Sequence, residues 1–223
     1  GWWGPVRAGR RIFLSKEAAD WALEGAAERT YFGATLAVGD LSGDGVEDLA
    51  VAAADDDGVP GGQGSVYLFA GGPAFARKRV RQADEADSVI VPPTGVALGS
   101  ALSLGGCSCR GQALAVADLT GDGRPDLVAG APLVNRLAGE LRVLPGPLPR
   151  GRVELEGRPH LRISGATDDG RLGWSVATGD LGSDGQLDLV AAAPWADGAG
   201  RSDTGLALGL PGPLPADGDL QLN

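Results

Sequence analysis

Short apolar runs, set apart by glycine, proline and acidic residues, give this 223-residue chain its rhythm. Three of them, Leu49-Ala-Val-Ala-Ala-Ala54, Leu127-Val-Ala-Gly-Ala-Pro132 and Leu189-Val-Ala-Ala-Ala-Pro194, are near copies of one another. A second set follows: Gly64-Ser-Val-Tyr-Leu-Phe-Ala70, Gly139-Glu-Leu-Arg-Val-Leu144 and Gly205-Leu-Ala-Leu-Gly-Leu210. Ahead of the first set stand Ala34-Thr-Leu-Ala-Val38 and Trp174-Ser-Val-Ala-Thr178, rich in small and β-branched residues. Runs of this length, bounded by turn formers, predict strands. The helix-like stretch Ser15-Lys-Glu-Ala-Ala-Asp-Trp-Ala-Leu23 is read as a loop and then a strand, because its end aligns with Leu161–Ile163. The expected class is all-β.

Between the strand-like runs lies a repeated acidic loop. It reads Asp40-Leu-Ser-Gly-Asp-Gly-Val-Glu-Asp48, Asp118-Leu-Thr-Gly-Asp-Gly-Arg-Pro-Asp126 and Asp180-Leu-Gly-Ser-Asp-Gly-Gln-Leu-Asp188. Carboxylates occupy positions 1, 5 and 9, and glycine occupies position 6. Hard divalent cations, calcium above all, take six to eight oxygen ligands from a flexible loop. Asp40, Ser42, Asp44, the Val46 carbonyl and Asp48 would supply them in the first loop, and Asp118, Thr120, Asp122, the Arg124 carbonyl and Asp126 in the second. The third offers Asp180, Asp184, the Gln186 carbonyl and Asp188. Gly182 at its position 3 brings no side-chain oxygen, so water or Ser183 would substitute and this site is expected to be the weakest of up to three.

Two other loop types fit the sequence less well. An EF-hand needs a bidentate Glu at position 12 and flanking helices. Here position 12 is Val51, Ala129 or Ala191, and the flanks suit strands. A plain Asp-Gly turn needs one or two such residues and has no use for an aspartate at position 9. Magnesium, which holds on to its water shell, fits an all-protein loop less well than calcium.

The repetition extends beyond the loops. Trp21–Gly33 aligns without gaps on Leu161–Gly173, and a looser copy runs from Asp87-Ser-Val-Ile-Val to Leu98-Gly99. Phe32, Leu98 and Leu172 mark equivalent points, 66 and 74 residues apart. About four short strands per unit at such a period suggest β-propeller blades. Leu98 and Asp118 are 20 residues apart where Phe32 and Asp40 are 8 apart, which places an insertion near 106–117. Arg110-Gly111 also aligns on Phe32-Gly33, so the start of the inner strand in this unit stays open. The expected organisation is residues 1–20 as the end of a preceding blade, 21–86 as repeat 1, 87–160 as repeat 2 and 161–223 as repeat 3.

These marks resemble the FG-GAP repeat, best known from the amino-terminal propellers of integrin α subunits. Phe32-Gly33, with Leu98-Gly99 and Leu172-Gly173 as variants, matches the first half of that name. Gly130-Ala131-Pro132 matches the second half, with Ala192-Ala193-Pro194 and Ala52-Ala53-Ala54 as weaker forms. The family's calcium loop lies between the halves, as here. The resemblance implies calcium-stabilised propeller blades. A closed propeller usually has four to eight blades, so three units suggest a piece of a larger propeller, with a second copy completing the ring as the alternative. In this reading the run Gly205–Asn223 holds one last strand with no sequel.

Charge narrows the partners. Twenty-nine acidic against 19 basic residues give a net charge of −10, and three divalent ions would offset more than half of it. Such a chain is a poor binder of nucleic acid. The one basic cluster, Arg77-Lys-Arg-Val-Arg81, reads as a solvated linker between blades. No apolar run is long enough to insert in a membrane. Cys107 and Cys109, one residue apart, would form a strained bridge and lack the companions a zinc site needs. Loops of this ligand set suit millimolar extracellular calcium, which implies an extracellular, cell-surface or periplasmic parent.

Catalytic signatures do not appear. His160 is the single histidine and reads as a loop or core residue; no nucleophile elbow or phosphate loop is present. The expected function is non-catalytic binding or cell adhesion toward a protein or glycan ligand. Alternatives are an accessory propeller of a secreted hydrolase, since FG-GAP repeats accompany phospholipase D-like enzymes, and a carbohydrate-binding propeller. For the last, Trp2, Trp3, Trp21, Trp174 and Trp195 are the candidates, with Trp174 expected in the core and Trp195 expected to be exposed.

Overall fold

The computed structural model describes residues 20–28, 30–54, 64–77, 80–99, 112–198 and 200–222. The described chain is all-β, apart from single 3-10 turns at Phe75–Arg77 and Ala83–Glu85. None of its helices is long and apolar enough to cross a membrane. The strands are β1 (Ala22–Glu24), β2 (Phe32–Gly39), β3 (Asp48–Ala53), β4 (Ser65–Phe69), β5 (Val80–Gln82), β6 (Ser88–Val91), β7 (Leu114–Ala117) and β8 (Asp126–Ala131). They continue with β9 (Glu140–Leu144), β10 (Gly151–Glu154), β11 (Leu161–Ser164), β12 (Ser175–Gly179), β13 (Asp188–Ala193), β14 (Leu206–Leu210) and β15 (Gly218–Gln221).

Three propeller blades are built from them. In the first, β2, β3, β4 and β6 pair antiparallel in chain order. The second repeats this with β7, β8, β9 and β11, and the third contains β12, β13 and β14. The blade is offset from the sequence repeat: the outer strand β6, which opens residues 87–160, completes the blade whose other strands lie within 21–86.

A fifth strand, absent from the four-strand expectation, links neighbours. β10 pairs in parallel with β6 of the preceding blade, β15 with β11, and β5 with β1. The reading of Gly205–Asn223 as one strand with no sequel is therefore corrected, because β15 follows β14. Arg81 also departs from a solvated linker. It lies in β5, 5.2 Å from the Phe69 ring, and its guanidinium donates to the Glu85 carbonyl at 3.2 Å. Lys78 and Arg79, like Cys107, Cys109, Trp2 and Trp3, lie outside the described residues.

The core sits between blades rather than within one. Ala50, Ala52, Val66 and Leu68 of the first blade pack on Leu114, Leu127, Ala129 and Ala131 of the second. The second blade's opposite face, with Val128, Leu141 and Val143, packs on Val176, Leu189 and Ala191 of the third. The many alanines let the sheets approach closely, and alternation of side chains along each strand gives both faces a partner.

The two halves of the repeat signature meet within each of the second and third blades. The Gly99 N–H donates to the Gly130 carbonyl at 2.8 Å, and the Gly173 N–H to the Ala192 carbonyl at 3.1 Å. Leu98-Gly99 thus holds the place in the second unit that Leu172-Gly173 holds in the third, while β7 itself begins at Leu114 and Arg110-Gly111 lies outside the described residues. Gly130 faces the next repeat so closely that an added Cβ would penetrate the Gly173 carbonyl oxygen. We expect Gly130→Ala to cost about 1–3 kcal/mol of stability, the usual range for overpacking. Gly179→Ala, where a Cβ would meet nothing within 4 Å, should be near neutral in the same thermal unfolding series.

Candidate metal centres in the acidic loops

Each loop joins an inner strand to the second strand of its blade, and its aspartates do different work. Position 1 wraps the turn: Asp40 Oδ1 accepts from the Gly43 and Asp44 N–H groups at 2.7 and 3.0 Å, and its Oδ2 from Gly45 at 2.8 Å. Asp118 does the same for Gly121, Asp122 and Gly123, and Asp180 for Asp184 and Gly185. Position 5 closes the turn, with Asp44, Asp122 and Asp184 each accepting from the N–H two residues on, at Val46, Arg124 and Gln186. The glycine at position 6 has φ of 84°, 83° and 85° in the three loops, a left-handed conformation suited to that residue.

Position 9 is the buried one, with Asp48, Asp126 and Asp188 only 3%, 0% and 7% exposed. One oxygen closes the loop base: Asp48 Oδ2 accepts from Ser42 N–H at 2.8 Å, Asp126 Oδ2 from Leu119 and Thr120 at 2.9 Å, and Asp188 Oδ2 from Leu181 at 2.8 Å. The other oxygen reaches a glycine just past the third strand, at Gly71, Gly146 or Gly212, over 2.9, 3.3 and 3.1 Å. These glycines are functional residues that the loop motif does not reveal. They are visible in the sequence only as a repeated Gly two residues beyond Phe69, Leu144 and Leu210. A side chain on any of them would strike the carbonyl of loop position 8.

Electrostatics differ between the buried carboxyls. Burial pushes the Asp126 carboxyl above its ordinary range, against hydrogen bonds from Thr120, Leu119 and Gly146 that pull it down. The N–H groups of Leu181 and Gly212 hold Asp188 below that range.

Among the described residues, no three His, Cys, Asp or Glu side chains gather around a common point as a preset cage. The donor set nevertheless fits a hard cation. Asp40 Oδ2, Asp118 Oδ2 and Asp180 Oδ2 each accept a single glycine N–H and keep a lone pair for a further partner. The Ser42 hydroxyl at position 3 is buried with no hydrogen-bond partner, as a ligand awaiting an ion would be. A cation would also compensate the burial that raises Asp126. Asp40, Ser42, Asp44, the Val46 carbonyl and Asp48 stand around one loop; Asp118, Thr120, Asp122, the Arg124 carbonyl and Asp126 stand around the next.

The third loop inverts one step. Where the others read Ser-Gly or Thr-Gly at positions 3 and 4, it reads Gly182-Ser183. Gly43 and Gly121 have φ of 76° and 73°, and Ser183 is held at 57° in the same left-handed region. The swap therefore removes an oxygen at position 3 and places a side chain where glycine is favoured.

Other candidates are tied into the framework. His160 Nδ1 donates to the Arg158 carbonyl at 2.8 Å, while Nε2 faces Arg142 Nη1 at 2.5 Å. Arginine only donates, so Nε2 accepts and the ring is neutral. Burial and the Arg142 charge together lower its pKa. Trp174 is buried as expected. Trp195 is half-buried rather than a free platform: it stands edge-on to Trp174 at 4.7 Å, with the Arg171 guanidinium 4.3 Å from its ring centre.

Comparison with known proteins follows the same pattern. The profile of the FG-GAP repeat matches residues 32–69, 110–144 and 172–207. Integrin alpha-IIb of Homo sapiens is 41% identical over 106 residues, 44% of this chain and 10% of that protein. Integrin alpha-5 of Xenopus laevis is 31% identical over 197 residues, covering 82% of this chain and 16% of its own length. Phosphatidylinositol-glycan-specific phospholipase D of Rattus norvegicus is 40% identical over 95 residues, 41% of this chain and 11% of that protein. The chain thus spans between 10% and 16% of the length of these relatives.

Exchanging the inverted pair, Gly182→Ser with Ser183→Gly, relieves the left-handed serine and restores the position 3 oxygen. Stability in chelator should rise by about 1 kcal/mol, measured by denaturant unfolding. No gain would mean that Ser183 carries no strain.

Proposed function

Since this chain belongs to the FG-GAP repeat family, we propose that it is a calcium-binding propeller segment serving extracellular binding or cell adhesion, without catalysis of its own. The observation that carries this reading is the triplicated loop, in which aspartates at positions 1, 5 and 9 hold one arrangement three times over. Calcium bound there would neutralise clustered carboxylates and cross-link the loop's two strands. The residues of this chain would do the rest: position 1 shapes the turn, position 9 ties it to the blade, and positions 3, 5 and 7 would offer oxygens to the ion, position 3 only in the first two loops. Millimolar extracellular calcium suits loops of this kind. The integrin relatives support a role in contact with a partner, in which rigid blades present loops to a protein or glycan.

The phospholipase D relatives support a second reading, an accessory propeller of a secreted hydrolase. In both readings these residues form the scaffold and any chemistry lies elsewhere. A lectin role is less favoured, because the indole proposed for sugar stacking is already occupied by Trp174 and Arg171.

The test is thermal unfolding in millimolar calcium and in excess chelator. A ligand at 100 times its Kd stabilises by about 2.7 kcal/mol, so a clear upward shift in Tm is expected. Asp122→Ala and Asp44→Ala should reduce that shift, with smaller losses in chelator, where each removes one exposed N–H bond. Equal losses in both buffers, or coincident melting curves for the unmodified chain, would contradict the metal assignment.

A further inference from the structure

A cleft of about 440 Å³ opens where the first blade hands over to the second. Both of those blades have all their strands, so the cleft is internal to the repeat row. Residues 93–96, which follow β6, form one wall. Glu140 and Arg142 of β9, Arg162 of β11 and the turn at 155–158 form the other. No residue of the three acidic loops lines it.

Its arginines carry more donors than the surroundings answer. Arg142 and Arg162 are direct cross-strand partners, an arrangement that costs stability when like charges go unanswered. Glu140 answers part of it: Oε1 lies 2.7 Å from Arg142 Nε and 2.6 Å from Nη2, while Oε2 accepts from Asn135 Nδ2 at 3.4 Å. His160 Nε2 takes a third Arg142 hydrogen. A guanidinium has five N–H groups, so two remain on a side chain that is buried. Arg162 Nε is buried as well, 2.6 Å from Asp219 Oδ1 but oriented so that no hydrogen bond forms. Arg158 is half-buried, and among the described residues no carboxylate pairs with it. Its main chain is fixed, because the Leu155 N–H donates to the Val91 carbonyl at 3.0 Å and the Arg158 N–H to the Leu155 carbonyl at 3.2 Å. With His160 neutral, three arginines against Glu140 and Glu156 leave the lining at 3 − 2 = +1, in a chain whose net charge is −10.

We propose that this cleft binds a tetrahedral oxyanion, the phosphate or sulfate group of a small ester, between Arg142, Arg158 and Arg162. Planar guanidinium forks match the oxygens of such a group in pairs. A carboxylate, with two oxygens, would answer fewer of the open donors than a group with three or four. Val96, Val134 and Leu155 supply an apolar wall for the carbon side of the ester, and the cleft has the size of a small-molecule site. Glu140 and His160 act as positioning residues, holding the Arg142 guanidinium in one orientation. The proposal rests on these side chains and does not depend on the calcium assignment.

The experiment is an NMR titration of the arginine side-chain N–H signals with methyl phosphate, methyl sulfate and acetate, at constant ionic strength in calcium buffer. Saturable shifts at Arg142, Arg158 and Arg162 are expected with at least one of the two esters, and whichever binds more tightly identifies the natural group as phosphate or sulfate. Arg158→Ala should keep the melting temperature, since that side chain is half-buried and pairs with no described carboxylate, and should weaken binding about tenfold. Arg158→Lys, which keeps the charge and loses the fork, should fall between the two. Arg152→Ala, at an exposed arginine paired with Glu154, should bind as the unmodified chain does. Shifts that stay linear for both esters, acetate binding as tightly as either, or full affinity in Arg158→Ala would each overturn the proposal.

Discussion

A buried carboxylate that accepts backbone N–H groups from two directions holds each repeat together. Asp48, Asp126 and Asp188 begin the second strand of their blades, yet their oxygens reach both back to the base of the loop and forward to a glycine beyond the third strand. Without that tie, the loop base and the glycine beyond the third strand would meet with their N–H groups unsatisfied, at a cost of about 1–3 kcal/mol for each buried group. Burial argues against charge at this position and the N–H donors argue for it. At Asp126 burial prevails, and at Asp188 the donors prevail. A cation near the site would tip both toward the ionised form.

From that anchor the interface between repeats follows. The tied glycine fixes where the chain leaves the third strand, and the Pro-Leu segment after it reaches the preceding repeat's loop at Leu41 or Leu119. The same chain then lays a short parallel strand beside the preceding blade's outer edge. The first two loops are thus covered by the repeat that follows them, so loop, blade and neighbour are tied together there. The repeat signature has the same logic: the Leu-Gly at the start of one repeat needs a residue as small as Ala52 or Gly130 in the repeat before it.

Much of this was legible in the sequence. The strand runs, the loops with their carboxylates, and the equivalence of Leu98-Gly99 with Leu172-Gly173 all rest on local pattern and on repetition. The fifth strands were not legible. Gly151-Arg-Val-Glu154 and Gly218-Asp-Leu-Gln221 each carry a single apolar residue, and they exist because a distant edge pairs with them. Arg81 looked solvated because a charge run hides the aromatic rings that receive its guanidinium. Trp195 looked free because sequence does not show what will stack on an indole. In the loops, residue types pointed to a cation, but only coordinates divide the aspartates into turn-shaping, turn-closing and blade-anchoring roles.

The anchoring claim is open to direct test by hydrogen exchange of the Gly71, Gly146 and Gly212 amides in calcium-free protein. The account predicts exchange as slow as that of the neighbouring strands β4 and β9, because a buried carboxylate oxygen receives each N–H even without an ion. Exchange at the rate of the exposed loop amides Gly45 and Gly123 would contradict it and reduce the position 9 aspartates to metal ligands alone.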